Sequence, residues 1–203
     1  MKIIDQATYQ AMREGAEILE ADGHGEKVLR LCDGNILKLF RRKRLLSSAL
    51  WSPYAKRFAK NAGRLQGMGI GAPKIIALFR IPSIERDGVL YDPIPGDTLR
   101  HQFRKNPSPA DLAEHRQKIA RFISDLYQKG IYFRSLHLGN IVETPAGPYG
   151  LIDISDLRFL PFPLLRTLRR RNVSRLLRIS EPGEDQWIDT DAILHPRSLS
   201  QNT

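Results

Sequence analysis

The sequence predicts an α+β protein of two lobes, a small N-terminal lobe built on an antiparallel sheet and a reduced, mainly helical C-terminal lobe. Short β-prone runs separated by glycine turns fill the first ninety residues. A stiff connector, Pro93-Ile94-Pro95-Gly96, follows them, and beyond it apolar residues recur at helical spacing. We therefore expect an N-lobe at residues 1–92, a C-lobe at 93–182 and a loose polar tail at 183–203.

The N-lobe is expected to begin with a helix that Asp5 caps and that runs to about Ala16. Glycine turns then separate the strands of a meander, and a cluster of glycines ends one internal helix. The predicted strands lie at residues 17–21, 27–32, 36–40, 74–80 and 88–91, and the internal helix lies at 52–68. This lobe thus has a five-stranded sheet and one internal helix.

In the C-lobe, the apolar spacing predicts helices over Thr98–Phe103 and Asp111–Lys129. Three short apolar runs follow Gly130, at residues 131–133, 141–142 and 149–152, and leave room for loops between them. Residues from Gly183 onwards are polar and show no helical pattern, which favours a loose tail.

Composition excludes several classes of protein. With 41% apolar and 27% charged residues in 203, the chain is typical of a globular protein rather than a collagenous or disordered one. The single cysteine, Cys32, rules out an internal disulfide and a cysteine zinc cluster. The sequence contains no apolar run of 18 residues, and its start lacks the apolar core of a signal peptide. We expect a cytoplasmic protein, with peripheral contact at the inner face of the inner membrane left open.

The formal charge of +10 is unevenly distributed. Residues 34–84 contain no acidic side chain, and their positive ones are Lys38, Arg41, Arg42, Lys43, Arg44, Lys56, Arg57, Lys60, Arg64, Lys74 and Arg80. Segregated positive charge favours an anionic partner, which could be a nucleic acid, a phosphorylated glycan or a membrane surface. A solvated basic surface explains this first stretch equally well.

A second acid-free stretch, residues 157–180, has arginines interleaved with leucines at helical spacing. A basic amphipathic helix of this kind can lie on lipid headgroups or clamp phosphates. The candidate contacts with an anionic substrate or membrane are Arg166, Arg169, Arg170, Arg171 and Arg175.

The residues that indicate chemistry are one lysine and two oxygen-bearing side chains. Lys38 stands in an apolar strand, which a lysine at a sheet edge would also explain. Downstream, a polar loop ends in Asn140, and thirteen residues later an apolar run ends in Asp153. This order of elements is typical of a kinase catalytic loop and its metal-binding aspartate. Transfer from ATP needs a cation near the phosphates, which Lys38 could provide, and a Mg²⁺ ion held by oxygens.

On these residues, the sequence resembles the protein-kinase-like superfamily, and within it the lipopolysaccharide-core kinases of the Kdo/WaaP type and the small toluene-tolerance proteins grouped with them. The resemblance covers approximately residues 17 to 160, and its centre is Ser135-Leu136-His137-Leu138-Gly139-Asn140. It implies a protein-kinase-like two-lobe fold, with ATP and Mg²⁺ as cofactors. It further implies metal ligands at Asn140 and Asp153, an adenine-binding hinge at Leu90, Tyr91 and Asp92, and a phosphate-covering turn at Gly23 and Gly25.

The chain departs from this family in three ways. The family's catalytic aspartate is replaced by Ser135, whose hydroxyl is neutral, so His137 or Asp156 becomes the candidate base. For His137, a hydrogen bond between the imidazole and the loop backbone is the favoured alternative, and Asp156 could instead be a solvent-facing acid or a helix cap. The internal helix lacks the glutamate that fixes the lysine in active relatives. Glu17, Glu20 or Glu26 could replace it. Barely a hundred residues follow the hinge, so a glycan or lipid substrate is favoured over a large peptide.

Three functions remain open at this point. The first is transfer of the ATP γ-phosphate to a sugar hydroxyl of a lipopolysaccharide-core or related envelope glycolipid precursor. The second is a catalytically impaired pseudokinase that acts as an adaptor in envelope biogenesis, which Ser135 favours. The third, a basic nucleic-acid-binding module, is the least favoured, because aromatic residues are not interleaved with the basic runs.

Overall fold

The computed structural model describes residues 1–41, 53–105, 108–145, 147 and 149–195. The chain divides into two compact units, Met1–Ile94 and Pro95–Thr203, so that the break falls inside the proline-rich connector. The predicted α+β class is confirmed, with a sheet and one internal helix in the first unit and a mainly helical second unit. Some predicted features lie outside the described residues, namely Arg42, Lys43, Arg44, the predicted helix start at Ser52 and the last eight residues.

The first unit is built on a six-stranded sheet. Its elements are β1 (Lys2–Ile3), α1 (Gln6–Arg13), β2 (Glu17–Asp22), β3 (Gly25–Arg30), β4 (Ile36–Arg41), α2 (Tyr54–Gly67), β5 (Lys74–Ile81) and β6 (Arg86–Asp92). The strand order is β1-β5-β6-β4-β3-β2, and all pairs are antiparallel except β1 with β5. Five strands match the predicted ones, and the two-residue β1 was too short to show a pattern.

Each face of this sheet carries one helix. Asp5 caps α1 as expected, because its carboxylate accepts a hydrogen bond from the Thr8 backbone at 2.8 Å. Tyr9 of α1 packs on buried strand residues such as Leu37 and Leu39. On α2, Phe58 and other apolar side chains spaced three or four residues apart are buried. Alternation along the strands therefore supplies two apolar faces, and each face is covered by one helix.

In the described residues of the second unit, two long α-helices and two five-residue α-helices accompany short strands. Its elements are β7 (Asp97–Thr98), α3 (Leu99–Phe103), α4 (Pro109–Gln128), β8 (Ile131–Phe133), β9 (Ile141–Glu143), β10 (Tyr149–Leu151), β11 (Leu157–Phe159), α5 (Arg166–Ile179) and α6 (Thr190–Leu194). One small sheet has the order β10-β9-β7, and β11 pairs with β8 in another. A capping box between Ser108 and Asp111 starts α4.

The predicted loose tail is wrong for residues 183–195. A 3-10 turn at Glu184–Trp187 and helix α6 fold back onto α4, and Trp187 is 1% exposed. The Trp187 ring stacks on His115 at 4.5 Å and meets Phe103 edge-on at 5.8 Å. A few apolar residues in a polar stretch thus close the core of the second unit, although they are too sparse to form a visible period.

Candidate active site

Lys38 lies on an interior strand, because β4 pairs with β3 on one side and β6 on the other. The register places Lys38 opposite Val28 and Val89. This position excludes the explanation of a lysine at a sheet edge. Lys38 shares a face of β4 with Phe40, whose ring packs on Phe58 of α2 at 6.0 Å. The half-buried lysine therefore belongs to the α2 side of the sheet.

The three glutamates proposed to hold Lys38 all pair with other cations. Glu17 pairs with Arg30, Glu20 with Lys27, and Glu26 with both Arg13 and the Tyr9 hydroxyl. Helix α2 itself carries no acidic residue. Since these carboxylates neutralise arginines and a lysine, the replacement of the expected helix glutamate by one of them stays a prediction.

The predicted phosphate-covering turn is the β2–β3 hairpin. Gly25 has a φ of +105°, which the turn requires and which glycine accommodates. A side chain at Gly23 would meet open space, so packing does not explain the glycine there. A hydrogen bond anchors the turn to the sheet, because the buried Arg86 of β6 donates to the His24 carbonyl at 2.5 Å. Binding of phosphate at this turn stays a prediction.

The predicted hinge residues occupy the end of β6. Tyr91 is buried and its ring lies 5.3 Å from that of Phe58, on the α2 side. Leu90 points to the opposite face, into the core under α1. Asp92 is exposed at the end of the strand. Adenine contact by this segment stays a prediction.

In the second unit, strand pairing brings Ser135 and Asp156 together. Leu157 of β11 is opposite Phe133 of β8, so the residues just beyond this pair lie at the same end of the two strands. There the Ser135 hydroxyl donates a hydrogen bond to Asp156 Oδ2 at 2.5 Å. We call residues 134–140 the catalytic-type loop. The loop position at which the family resemblance expects a carboxylate is therefore in direct contact with a carboxylate supplied from 21 residues downstream.

The second oxygen of Asp156, Oδ1, is buried without a hydrogen-bond partner among the described residues. Burial raises the pKa of Asp156 above its ordinary value, while the bond from Ser135 and the charge of Arg134 act in the opposite direction. Asp156 is thus neither a solvent-facing acid nor a helix cap. It is a partly desolvated carboxylate with one uncommitted oxygen, which suits a proton acceptor.

A backbone bond ties the residue before Asp153 to the catalytic-type loop, because the Ile152 N–H donates to the Asn140 carbonyl at 3.0 Å. The Asn140 amide nitrogen donates to the Ser135 carbonyl at 2.9 Å, and this bond directs the carboxamide oxygen away from the loop backbone. Asp153 has a left-handed backbone with φ 51°. Constrained residues of this kind cluster at functional sites.

The donor set fits Mg²⁺, because an amide oxygen and a carboxylate are hard oxygen ligands. Within the described part of the chain, no group of three or more His, Cys, Asp or Glu side chains could hold a metal ion alone. Mg²⁺ commonly uses one or two protein oxygens and completes its octahedron with waters and phosphate oxygens, as in nucleotide sites. Binding of Mg²⁺ by Asn140 and Asp153 stays a prediction.

His137 is held by packing rather than by the hydrogen bond to the loop backbone that the sequence favoured. Its Nδ1 is buried without a partner among the described residues. Burial lowers the pKa of His137, and the charge of Arg100 lowers it further. A Cβ on Gly139 would lie 3.1 Å from the imidazole and 3.2 Å from Arg100, so a larger residue there would have to displace these side chains. A neutral imidazole is expected here at pH 7.

Arg100 and Glu184 form an ion pair that the sequence did not reveal. Arg100 of α3 donates to both carboxylate oxygens of Glu184, at 2.6 and 3.0 Å, and Glu184 is fully buried. The Glu181 backbone N–H donates to the same carboxylate at 2.9 Å. Arg100 and Glu184 are 84 positions apart, and no local pattern connects residues at that separation.

The five predicted contact arginines occupy three kinds of position on helix α5. Arg169 is tied down, since its Nε donates to the Leu164 carbonyl at 2.7 Å and its guanidinium lies 5.9 Å from the Tyr127 ring centroid. Arg166 and Arg170 are exposed, whereas Arg171 and Arg175 line a pocket. Contact of any of them with a substrate or a membrane stays a prediction. None of the helices in the described ranges is long and apolar enough to cross a bilayer.

Comparison with known proteins gives a likeness to solved structures only. No protein-family model matches the sequence, and no curated protein matches it either. Similar structures include the bifunctional kinase-methyltransferase WbdD, at 15% identity and a TM-score of 0.47 over 73% of this chain and 34% of that one. A structure of monomeric WbdD is similar at 14% identity and a TM-score of 0.45 over 79% of this chain and 37% of that one. This chain thus spans about a third of the WbdD chains, and membership of the lipopolysaccharide-core subgroup stays a prediction.

Proposed function

We propose that this protein is an ATP- and Mg²⁺-dependent phosphotransferase that acts on a sugar hydroxyl of a lipopolysaccharide-core or related envelope glycolipid precursor. The observation that carries the proposal is the hydrogen bond from Ser135 to Asp156, a carboxylate with a raised pKa and one uncommitted oxygen. It supplies a proton acceptor at the loop position where the chain lacks the usual aspartate.

The proposed transfer moves one phosphoryl group and one proton. The acceptor hydroxyl oxygen attacks the γ-phosphorus, the bond from that phosphorus to the β–γ bridging oxygen breaks, and ADP leaves. The hydroxyl proton passes to Asp156, either directly or through the Ser135 hydroxyl. Because the transition state of phosphoryl transfer is loose, positioning and electrostatics provide most of the rate, and a base provides a further factor of about 10²–10⁴.

Magnesium would be held by Asn140 and Asp153 and would neutralise charge on the transferring phosphoryl group. Lys38 is proposed to bind the α- and β-phosphates, with Gly23 and Gly25 covering them and Leu90, Tyr91 and Asp92 contacting adenine. The interior position of Lys38 supports its part, because strands on both sides hold β4 and so fix the place from which the ammonium extends.

A second candidate function is that of a pseudokinase adaptor in envelope biogenesis. One observation favours it specifically: α2 has no acidic residue, so the helix glutamate that the family resemblance expects beside the lysine is missing. In such a protein, nucleotide binding would serve assembly rather than transfer.

Two measurements on the intact chain test these functions. Mg-ATP should raise the melting temperature, and Asp153→Asn should remove the magnesium-dependent part of that shift. Asparagine is the appropriate replacement because it tolerates the left-handed backbone of residue 153. Transfer of labelled γ-phosphate to purified core oligosaccharide then separates the two functions. A magnesium-dependent shift without transfer favours the adaptor, and the absence of any nucleotide-dependent shift contradicts the phosphotransferase and leaves an adaptor that binds no nucleotide.

A further inference from the structure

The second unit contains a cationic pocket that is separate from the Ser135–Asp156 contact. Its volume is about 400 Å³, within the range of small-molecule sites. Four guanidinium groups line it, those of Arg134, Arg158, Arg171 and Arg175, and Tyr132 and Leu168 contribute to its wall. Arg134 and Arg158 were not singled out by the sequence analysis, because they lie in separate short runs.

The fold brings the four arginines together from three elements. Arg158 of β11 is opposite Tyr132 of β8 in the strand register, and Arg134 follows the end of β8. Arg171 and Arg175 are one helical turn apart, so they share a face of α5. The convergence is thus set by secondary structure and not by flexible side chains alone.

Helix α5 is fixed to the strand side of this pocket by a buried polar contact. Asn172, which is fully buried, accepts a hydrogen bond from the Tyr127 hydroxyl at 3.1 Å and donates one to the Phe133 carbonyl at 2.8 Å. Val173 and Leu176 are buried on the same helix. The spacing between the two arginines of α5 and those near β8 is therefore preset.

Among the described residues, none of the four arginines forms an ion pair with a carboxylate, although Arg134 lies near enough to Asp156 for its charge to lower the pKa of that carboxyl. Four like charges around one pocket repel one another, whereas a bound anion is attracted by all four. Guanidinium forks match the paired oxygens of a phosphate group.

We propose that this pocket binds a phosphate monoester carried by the acceptor, such as a phosphorylated sugar headgroup. Arg134 directly precedes Ser135, so a phosphate held here places the rest of the sugar next to the catalytic-type loop. The part of this inference that concerns acceptor orientation rests on the proposed phosphotransfer. The binding of the monoester itself does not.

The test uses a matched pair of double variants of the full chain. Arg171→Gln/Arg175→Gln removes two pocket charges, and Arg166→Gln/Arg170→Gln removes two exposed charges from the same helix outside the pocket. Binding of glucose 6-phosphate, inorganic phosphate and glucose is measured by calorimetry without nucleotide. We expect glucose 6-phosphate to bind and glucose not to bind. The pocket variant should weaken binding by about tenfold or more through the loss of charge-assisted bonds, while the control should change it less than about twofold.

A lipid arm identifies the source of the phosphate. Sedimentation with vesicles containing phosphatidic acid, a monoester, is compared with phosphatidylglycerol vesicles of equal surface charge. Preference for phosphatidic acid that the pocket variant alone loses indicates a lipid-borne monoester, and binding of glucose 6-phosphate without that preference indicates a soluble one. Both outcomes support the pocket.

Three outcomes contradict the inference: no binding of any phosphate compound, equal loss in both double variants, or equal binding of phosphatidylglycerol vesicles with no soluble ligand. Arg171→Lys/Arg175→Lys guards against loss of folding, since it keeps the charge and should retain part of the affinity. If the pocket fails while γ-phosphate transfer persists, only this inference falls. If the pocket binds phosphate but no transfer occurs, the proposed function falls and the pocket remains.

Discussion

Two carboxylates support the catalytic-type loop in different ways. Glu184 is fully buried and saturated: Arg100 donates to both of its oxygens and the Glu181 backbone donates a third bond. Asp156 accepts one bond, from Ser135, and its other oxygen is buried without a partner among the described residues. A saturated carboxylate can only hold structure, whereas an unsaturated one with a raised pKa can take a proton. The contrast therefore distinguishes a scaffold residue from a candidate base.

The largest expected effect is on the rate of transfer when the base is removed. Asp156→Asn keeps the shape of the side chain and should lower phosphotransfer by about 10²–10⁴-fold, with little change in Mg-ATP affinity. Measurement of kcat and of nucleotide affinity in the same preparation checks this. Adding Ser135→Asp to Asp156→Asn should recover part of the rate. A rate that Asp156→Asn leaves unchanged would place the proton acceptor elsewhere.

Removing the saturated carboxylate should affect stability instead. Glu184→Ala leaves the Arg100 charge in a largely buried site and should lower the free energy of unfolding by about 3 kcal/mol, the low end for a buried pair because Arg100 keeps some contact with water. Urea denaturation monitored by circular dichroism measures it. A loss of kcat at full stability would show that Glu184 acts in the reaction and would remove the contrast.

Acidification offers a third test, through His137. Its folded-state pKa lies below the ordinary value of 6.5, so the unfolded chain binds a proton more readily. The stabilising contribution of neutral His137 is full above pH 6.5 and declines as pH falls through the lowered folded-state pKa. Unfolding free energies at stepwise lower pH should fall less steeply in His137→Gln than in the wild type. Parallel curves would mean that the imidazole titrates normally.

The smallest effect on stability is expected at Glu181, a more exposed carboxylate that also lies beside Arg100. Glu181 pairs with Arg104 at 2.6 Å, and its hydrogen bonds to Arg104 lower the pKa of Glu181. Both side chains remain in contact with water, and surface ion pairs contribute little. Glu181→Gln should therefore leave the denaturation midpoint unchanged within error, in contrast to Glu184→Ala. A comparable loss in both variants would mean that burial does not distinguish them.

Local patterns were sufficient for most of the fold. The Asp5 cap, the glycine turns and the apolar spacing of α4 all depend on residues within a few positions of one another, so the sequence displays them directly. The two- and three-residue strands β1, β7 and β11 were not predicted, because an alternating apolar pattern needs more residues to be visible. Their partners are chosen by tertiary contacts.

Only part of the candidate site could be predicted from the sequence, for the same reason. The sequence identified Ser135 and Asp156 separately, but their hydrogen bond depends on the register of β8 with β11, which no local pattern encodes. Glu184 was assigned to a loose tail because its neighbours are polar. Its burial depends on Arg100, which is too far along the chain for sequence spacing to reveal.

The bond from Arg86 to the His24 carbonyl has a consequence for how the hairpin turn could meet a ligand. A turn anchored to the central part of its own sheet has fewer conformations to lose when phosphate arrives, so the entropic penalty of closing over a nucleotide is reduced in advance. Cutting that tether with Arg86→Met would loosen the hairpin without touching its glycines, and any nucleotide held there would dissociate faster.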